Sequence, residues 1–171
     1  MSRFTLRRQA ARVVLLDVRD RVLLINASDP ADRTKPPWWE IPGGGMDPQE
    51  SSVEAAAREL WEEAGIRDAR VGPCVWVQRA QFSFGGWEFD QDERIHVAWL
   101  DRPGDEREHR PRGLEALEAA AFRGHRWWPV DELLDSDVPV LPHRLREHLP
   151  DLVTGNLPDP PIDISWPPAA G

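Results

Sequence analysis

Gly43-Gly44-Gly45-Met46-Asp47-Pro48-Gln49-Glu50, continuing through Ser51-Ser52-Val53-Glu54-Ala55-Ala56-Ala57-Arg58-Glu59-Leu60-Trp61-Glu62-Glu63-Ala64-Gly65-Ile66, reads as a glycine-rich turn followed by one helix. Ser51 stands where a helix cap is needed, and Glu54 follows three residues on, the spacing of a capping box. Gly65 is a natural stop, because glycine takes the left-handed conformation after a helix without steric cost. Between cap and stop, Val53, Ala56, Ala57, Leu60 and Ala64 recur at spacings of three and four, which predicts an apolar stripe.

The other side of this helix is acidic. Glu59 and Glu62 are three apart and Glu59 and Glu63 four apart, so three carboxylates crowd one surface. On an exposed helix each such pair costs about 0.2–0.5 kcal/mol. At an effective dielectric near 20 and ~6 Å the cost approaches roughly 3 kcal/mol per pair. A divalent cation reverses the sign, since hard oxygen ligands are what Mg²⁺ and Ca²⁺ take. The three glutamates alone also fit a solvated acidic face.

The flanks decide between the two readings. Gly44, five residues, Glu50, seven residues, Arg58-Glu59-Leu60, one residue, Glu62-Glu63, one residue, Gly65-Ile66 resembles, without a departure, the signature box of the Nudix hydrolase superfamily (MutT-like). Seven fixed positions at residue frequencies of roughly 5–10% each arise by accident on the order of once in a million chains. The box speaks strongly for fold and chemistry and weakly for substrate.

Composition bounds the rest. At 171 residues the chain is one domain by size. Its net charge of −9 argues against broad nucleic-acid binding, which runs on cationic surface. It also means that an anionic substrate must be met by local cations. Cys74 is the only cysteine, so an intrachain disulfide and a multi-cysteine zinc site are excluded and a cytoplasmic setting is expected. Cys74 sits in an apolar run and reads as a core filler. No apolar run reaches the roughly 18 residues of a membrane span, so no membrane partner is expected.

Residues 10–18 and 21–27 are rich in β-formers and read as a hairpin broken at Arg19-Asp20. Ser28 to Pro37 reads as an exposed loop, and Trp38 to Pro42 as a short strand into the glycines. Residues 71–84 form a long strand with Trp76, Ala80, Phe82 and Phe84 on one face, broken by Gln78. Gly85-Gly86 turns it into a return strand, 87–100, with Ile95, Val97 and Trp99 on one face. Asp101 to Arg112 reads as a mobile loop, 114–122 as a short helix, 126–128 as a last strand, 129–134 as a helix, and 141–153 as a final helix kinked at Pro150. The expected division is a domain over 1–156 and an extended proline-rich tail over 157–171. That tail lies on the surface or reaches a second subunit, which leaves a homodimer open. The order of elements predicts a mixed α/β (α+β) fold. The resemblance implies a Nudix-type α/β/α sandwich with a small mixed sheet between helices.

The resemblance also implies roles. Glu59, Glu62 and Glu63 are the expected metal ligands, with the backbone carbonyl of Gly43. The metal is Mg²⁺, or Mn²⁺ in its place. Arg58 and Glu50 form the pair that orients the ligands, with Gly44 and Gly65 structural. The catalytic set is Glu59, Glu62 and Arg58. The general base is Glu59, or Glu115 or Glu118 outside the box. From position in the chain rather than from the resemblance, Trp38, Trp39, Phe82, Phe84, Trp87 and Phe89 flank the expected cleft as candidate stacking platforms, Trp39 and Phe82 foremost, and Arg79 and Arg94 are candidate phosphate contacts.

The expected activity is Mg²⁺-dependent hydrolysis of a pyrophosphate bond in a nucleoside diphosphate linked to another moiety. A nucleoside triphosphate or oxidised nucleotide leads as substrate. The alternative is a nucleotide-metabolite sensor on the same fold, without turnover. A prenyl-diphosphate isomerase needs a catalytic cysteine, and Cys74 is poorly placed for it.

Overall fold

A computed structural model describes residues 4–168. In chain order the elements are β1 (Thr5–Leu16), β2 (Arg21–Ala27), β3 (Trp38–Glu40), β4 (Gly43–Gly45), α1 (Ser52–Ala64), β5 (Arg70–Phe84), β6 (Trp87–Trp99), α2 (Ala116–Ala121), β7 (Phe122–Pro129), α3 (Val130–Asp135), β8 (Val140–Leu141), α4 (Leu145–Val153) and β9 (Ile162–Asp163). The strands join in the order β8-β3-β2-β1-β6-β5-β9, with β4 added on β1 and β7 on β2. β1 runs parallel to β6 over its whole length, from Thr5↔Glu88 to Leu16↔Trp99.

The sheet lies between two helical layers, and residue alternation along the strands explains why. Val13, Leu15, Leu23, Ala98 and Trp127 point to the side where Ala56, Leu60 and Ala64 of α1 pack. Val14, Leu16, Val22, Leu24, Val97 and Trp128 point to the other side, against Leu133 of α3 and Leu145, Leu149 and Leu152 of α4. A strand buried on both faces reads as a continuous apolar run, and Val13-Val14-Leu15-Leu16 is that run.

β1 and β2 share only the pair Leu16↔Val22. Below it they splay apart, and β1 takes β4 as its partner instead, with Ala10↔Gly45 and Arg12↔Gly43. A cleft of about 840 Å³ opens there, lined by Leu6, Arg8 and Arg12 of β1, Ile25 and Ala27 of β2, and all three glycines of β4.

Several expectations are corrected. Val53 is 46% exposed and Ala57 is also exposed, whereas Ala55, Glu59 and Glu63 are buried. The helix is rotated so that two carboxylates, not Val53, flank its packed face. The loop at 28–37 is not free, because the buried Asp29 accepts from the amides of Ala31 and Gly85 and from Lys35 Nζ. The segment 101–112 is also tied down. The Gly104 amide donates to Asp17, Glu106 accepts from the Trp127 amide, and Trp127 Nε1 donates to His109. The strand expected at 126–128 is longer and starts at Phe122, since β2 supplies a partner from Arg21 to Ala27. In the proline-rich segment, Ile162 and Asp163 pair with Trp76 and Val77, and Ile164 is fully buried in the α4-side core. No helix among the described residues is long and apolar enough to cross a membrane.

Candidate active site

The box helix forms as its ends require. Ser51 Oγ accepts from the Glu54 amide at 3.2 Å. Gly65 closes the helix at φ 69°, its amide reaching back to Trp61 O. Glycine is needed at 44 for a different reason: a Cβ there would stand 2.8 Å from Glu59 Oε1. The turn can therefore lie directly on the carboxylate.

Arg58 organises the cluster. Its Nε and Nη2 donate to the two oxygens of Glu50, both at 2.8 Å. Nη1 donates to Glu62 at 2.9 Å and to Glu59 at 3.1 Å. Nη2 also donates to Gly45 O at 3.0 Å. A planar fork of five donors suits this task, and a lysine could not reproduce it. Glu50 is fixed in turn by the Asp47 amide at 3.1 Å, and its carboxyl is held below the usual range chiefly by the Arg58 hydrogen bond.

Glu63 stands apart from that fork. Its Oε2 accepts from the Gly43 amide at 3.1 Å, and among the described residues it has no ion pair. Glu59 and Glu63 are only 4% and 9% exposed. Burial pushes Glu59 up to about 7, with Arg58 opposing and Glu118 and Glu62 adding. Burial, then the charge of Glu59, pushes Glu63 well above the ordinary carboxylate range. Buried carboxylates short of positive charge are what a hard divalent cation fits. Among the described residues no three such side chains stand together as a ready-made metal site.

Glu115 and Glu118 both line the cleft. The carboxyl of Glu118 is pushed upward by desolvation, then by the charges of Glu115 and Glu62. It sits on α2 and is exposed to solvent.

Phe82 lines the cleft and stacks on Phe89 at 5.1 Å. Trp38 and Phe84, edge to face at 6.3 Å, form a second aromatic pair in its wall. Trp39 is not there. It packs edge to face on Trp128 at 5.4 Å, because β2–β3 pairing sends adjacent side chains to opposite faces. Arg94 is exposed and does not line the cleft. Arg79 reaches the cleft but is held in a two-pronged pair with Asp90. Gln78 breaks its strand's apolar face because it donates to the buried Glu93 at 2.6 Å. Cys74 is half-buried, and burial pushes its thiol upward, the opposite of an activated nucleophile.

Among the described residues, four arginine or lysine side chains line the cleft: Arg8, Arg12, Lys35 and Arg79. Arg8, Arg12 and Lys35 were not singled out from the sequence. The signal available was Arg8 and Arg12 on one face of β1, just before its apolar run. Their partners lie more than 80 residues away, Gln91 for Arg8 and Glu93 for Arg12.

The family model described as NUDIX domain matches residues 6–152. The chain belongs to the Nudix family. A curated relative, the putative 8-oxo-dGTP diphosphatase of Bacillus subtilis, is 38% identical over 74 residues, 43% of this chain and 46% of that protein. Human diphosphoinositol polyphosphate phosphohydrolase 3-alpha is 43% identical over 58 residues, 34% of this chain and 32% of that one. The chain thus spans less than half the length of these relatives. The crystal structure of a Nudix hydrolase from M. smegmatis has a TM-score of 0.58 at 22% identity, covering 91% of this chain and 89% of that chain. The likeness shows the Nudix fold.

Proposed function

We propose that this chain hydrolyses a pyrophosphate bond in a nucleoside diphosphate linked to another moiety, with a nucleoside triphosphate or oxidised nucleotide as leading substrate. One observation carries the reading. A single guanidinium fixes Glu50, Glu59, Glu62 and the Gly45 carbonyl together, beside a buried Glu63 that has no ion pair among the described residues.

Phosphoryl transfer asks a protein for positioning and charge neutralisation more than for covalent chemistry. Glu59, Glu62, Glu63 and the Gly43 carbonyl are the groups to hold Mg²⁺ or Mn²⁺. An ion held there would supply charge neutralisation at phosphate oxygens and a lower pKa for water. Arg58 and Glu50 set the rotamers of the ligands. Water attacks phosphorus as the bridging P–O bond breaks, and Glu118, or Glu59, accepts its proton. The aromatic walls at Phe82–Phe89 and Trp38–Phe84 hold the base by stacking.

The two curated names point to different substrates, and the cleft favours the nucleotide. A polyphosphorylated ring without an aromatic face needs a broad cationic basin. Here Arg12, Lys35 and Arg79 are already paired with Glu93, Asp29 and Asp90, and Glu40, Glu115 and Glu118 line the same cleft.

The test is a phosphate-release screen with Mg²⁺ over nucleoside triphosphates, 8-oxo-dGTP, dinucleotides, nucleotide sugars and a diphosphoinositol polyphosphate. Turnover confined to nucleotides is expected. Binding without turnover would favour the sensor reading, and preference for the inositol compound would reverse the substrate assignment.

A further inference from the structure

Resting on the hydrolase reading, we propose that Arg8 grips a phosphate group of the substrate's polyphosphate chain. It is the one arginine or lysine lining the cleft that has no carboxylate partner among the described residues. Arg12 pairs with Glu93 at 2.9 Å, Lys35 with Asp29 at 3.1 Å and Arg79 with Asp90 at 2.9 Å. Arg8 instead donates from Nε to the neutral side-chain carbonyl of Gln91. That carbonyl is aimed by a further bond, since Gln91 Nε2 donates to Glu93 Oε2 at 2.6 Å, and Gln91 is fully buried. The arrangement holds the guanidinium in place with no carboxylate in direct contact among the described residues, although Glu118, Glu59 and Glu93 act on it through space.

Two more contacts complete the seat. The guanidinium carbon lies 5.0 Å from the centroid of the Phe89 ring, a face that attracts a cation. A Cβ on Gly45 would stand 2.9 Å from Arg8 Nη1, so the absence of a side chain there lets Arg8 lie against the box's own strand. Both terminal nitrogens of Arg8 donate to no partner among the described residues. They form a planar fork matched to phosphate oxygens. The charge is half-buried and repelled by Arg12, with Glu118, Glu59 and Glu93 opposing, so an anion bound directly to the fork relieves what remains of the burial cost. A purely structural arginine in this cleft would be expected to carry a carboxylate partner, as its neighbours do.

The experiment measures binding of inorganic tripolyphosphate in Mg²⁺ by calorimetry, for the parent, Arg8→Gln and Arg8→Lys. Tripolyphosphate needs no base, so the aromatic walls do not enter. Arg8→Gln is expected to weaken binding about 10–100-fold, as for loss of a charge-assisted pair. Arg8→Lys should recover part of the loss. Affinity for Mg²⁺ alone and the melting temperature should stay at parental values. Equal tripolyphosphate affinity in parent and Arg8→Gln overturns the assignment. A fall in Mg²⁺ affinity as large as the fall in tripolyphosphate affinity also overturns it, since Arg8 would then act through the carboxylate cluster. A parent that takes no tripolyphosphate overturns this assignment, while the hydrolase reading stands or falls separately on the phosphate-release screen.

Discussion

α1 and α4 pack on opposite faces of one sheet and do opposite things with their buried surface. α4 inserts Leu145, Leu149 and Leu152, each at most 1% exposed, and removes only hydrocarbon from water there. α1 inserts Ala55, Ala56, Leu60 and Ala64 and, beside them, the carboxylates of Glu59 and Glu63. Burying a leucine contributes about 1.5–3 kcal/mol. Burying a charged carboxylate costs several kcal/mol, because its charge is taken out of water; Arg58 offsets part of that for Glu59, while Glu63 has no ion pair among the described residues. The α4 side thus stabilises the fold, and on the proposed function the α1 side uses some of that stability to hold carboxylates where a cation would meet them.

The difference can be broken first at Glu63. Glu63→Gln keeps an oxygen for the Gly43 amide and removes the charge. Hydrolysis should fall about 10³-fold, roughly 4 kcal/mol of transition-state stabilisation. The metal-free melting temperature should be no lower than the parent's. A variant that melts early would make Glu63 a structural residue like those of α4. Leu149→Ala should behave in the reverse way. A stability loss of about 2–5 kcal/mol, read by urea unfolding, should leave kcat of the folded enzyme near its parental value.

Smaller effects sharpen the picture. Glu118→Gln should lower kcat about 10²-fold, the usual scale for a general base, while Glu115→Gln should stay within a few-fold. Equal effects in a pH-matched kinetic comparison would move the base to Glu59. Arg58→Lys should weaken Mg²⁺ affinity about 10–100-fold, as expected for a residue that orients ligands. Calorimetry showing unchanged affinity would reduce Arg58 to a surface ion pair.

How much of this was legible in the sequence follows from the range of each interaction. The cap at Ser51, the stop at Gly65 and the Arg58–Glu62 pair lie within one or two helical turns, and periodicity displays them. The tilt of α1 does not follow from spacing alone. Steps of three and four residues connect Val53 to Ala57 as readily as Ala55 to Glu59, and only the sheet beneath chooses. Trp38 and Trp39 are identical neighbours, and the register Ala27↔Trp38, Asn26↔Trp39 sends one to the cleft and the other to the core. The polar chain of Arg12, Glu93, Gln91 and Arg8 joins β1 to β6 across more than 80 residues. Strand pairing made it, so local pattern could not reveal it. The divergence of β1 and β2, which opens the cleft, likewise depends on β4 competing for the edge of β1.

The claim beneath all of this is that the buried carboxylates of α1 wait for a dication. Thermal melting of the metal-free protein against Mg²⁺ tests it most directly. At about 100 times the dissociation constant, binding contributes roughly 2.7 kcal/mol, which for a chain of this size raises the melting temperature by about 5–10 °C. That rise is expected in the parent and should vanish in Glu63→Gln. No rise in the parent, or the same rise in both proteins, would contradict the account.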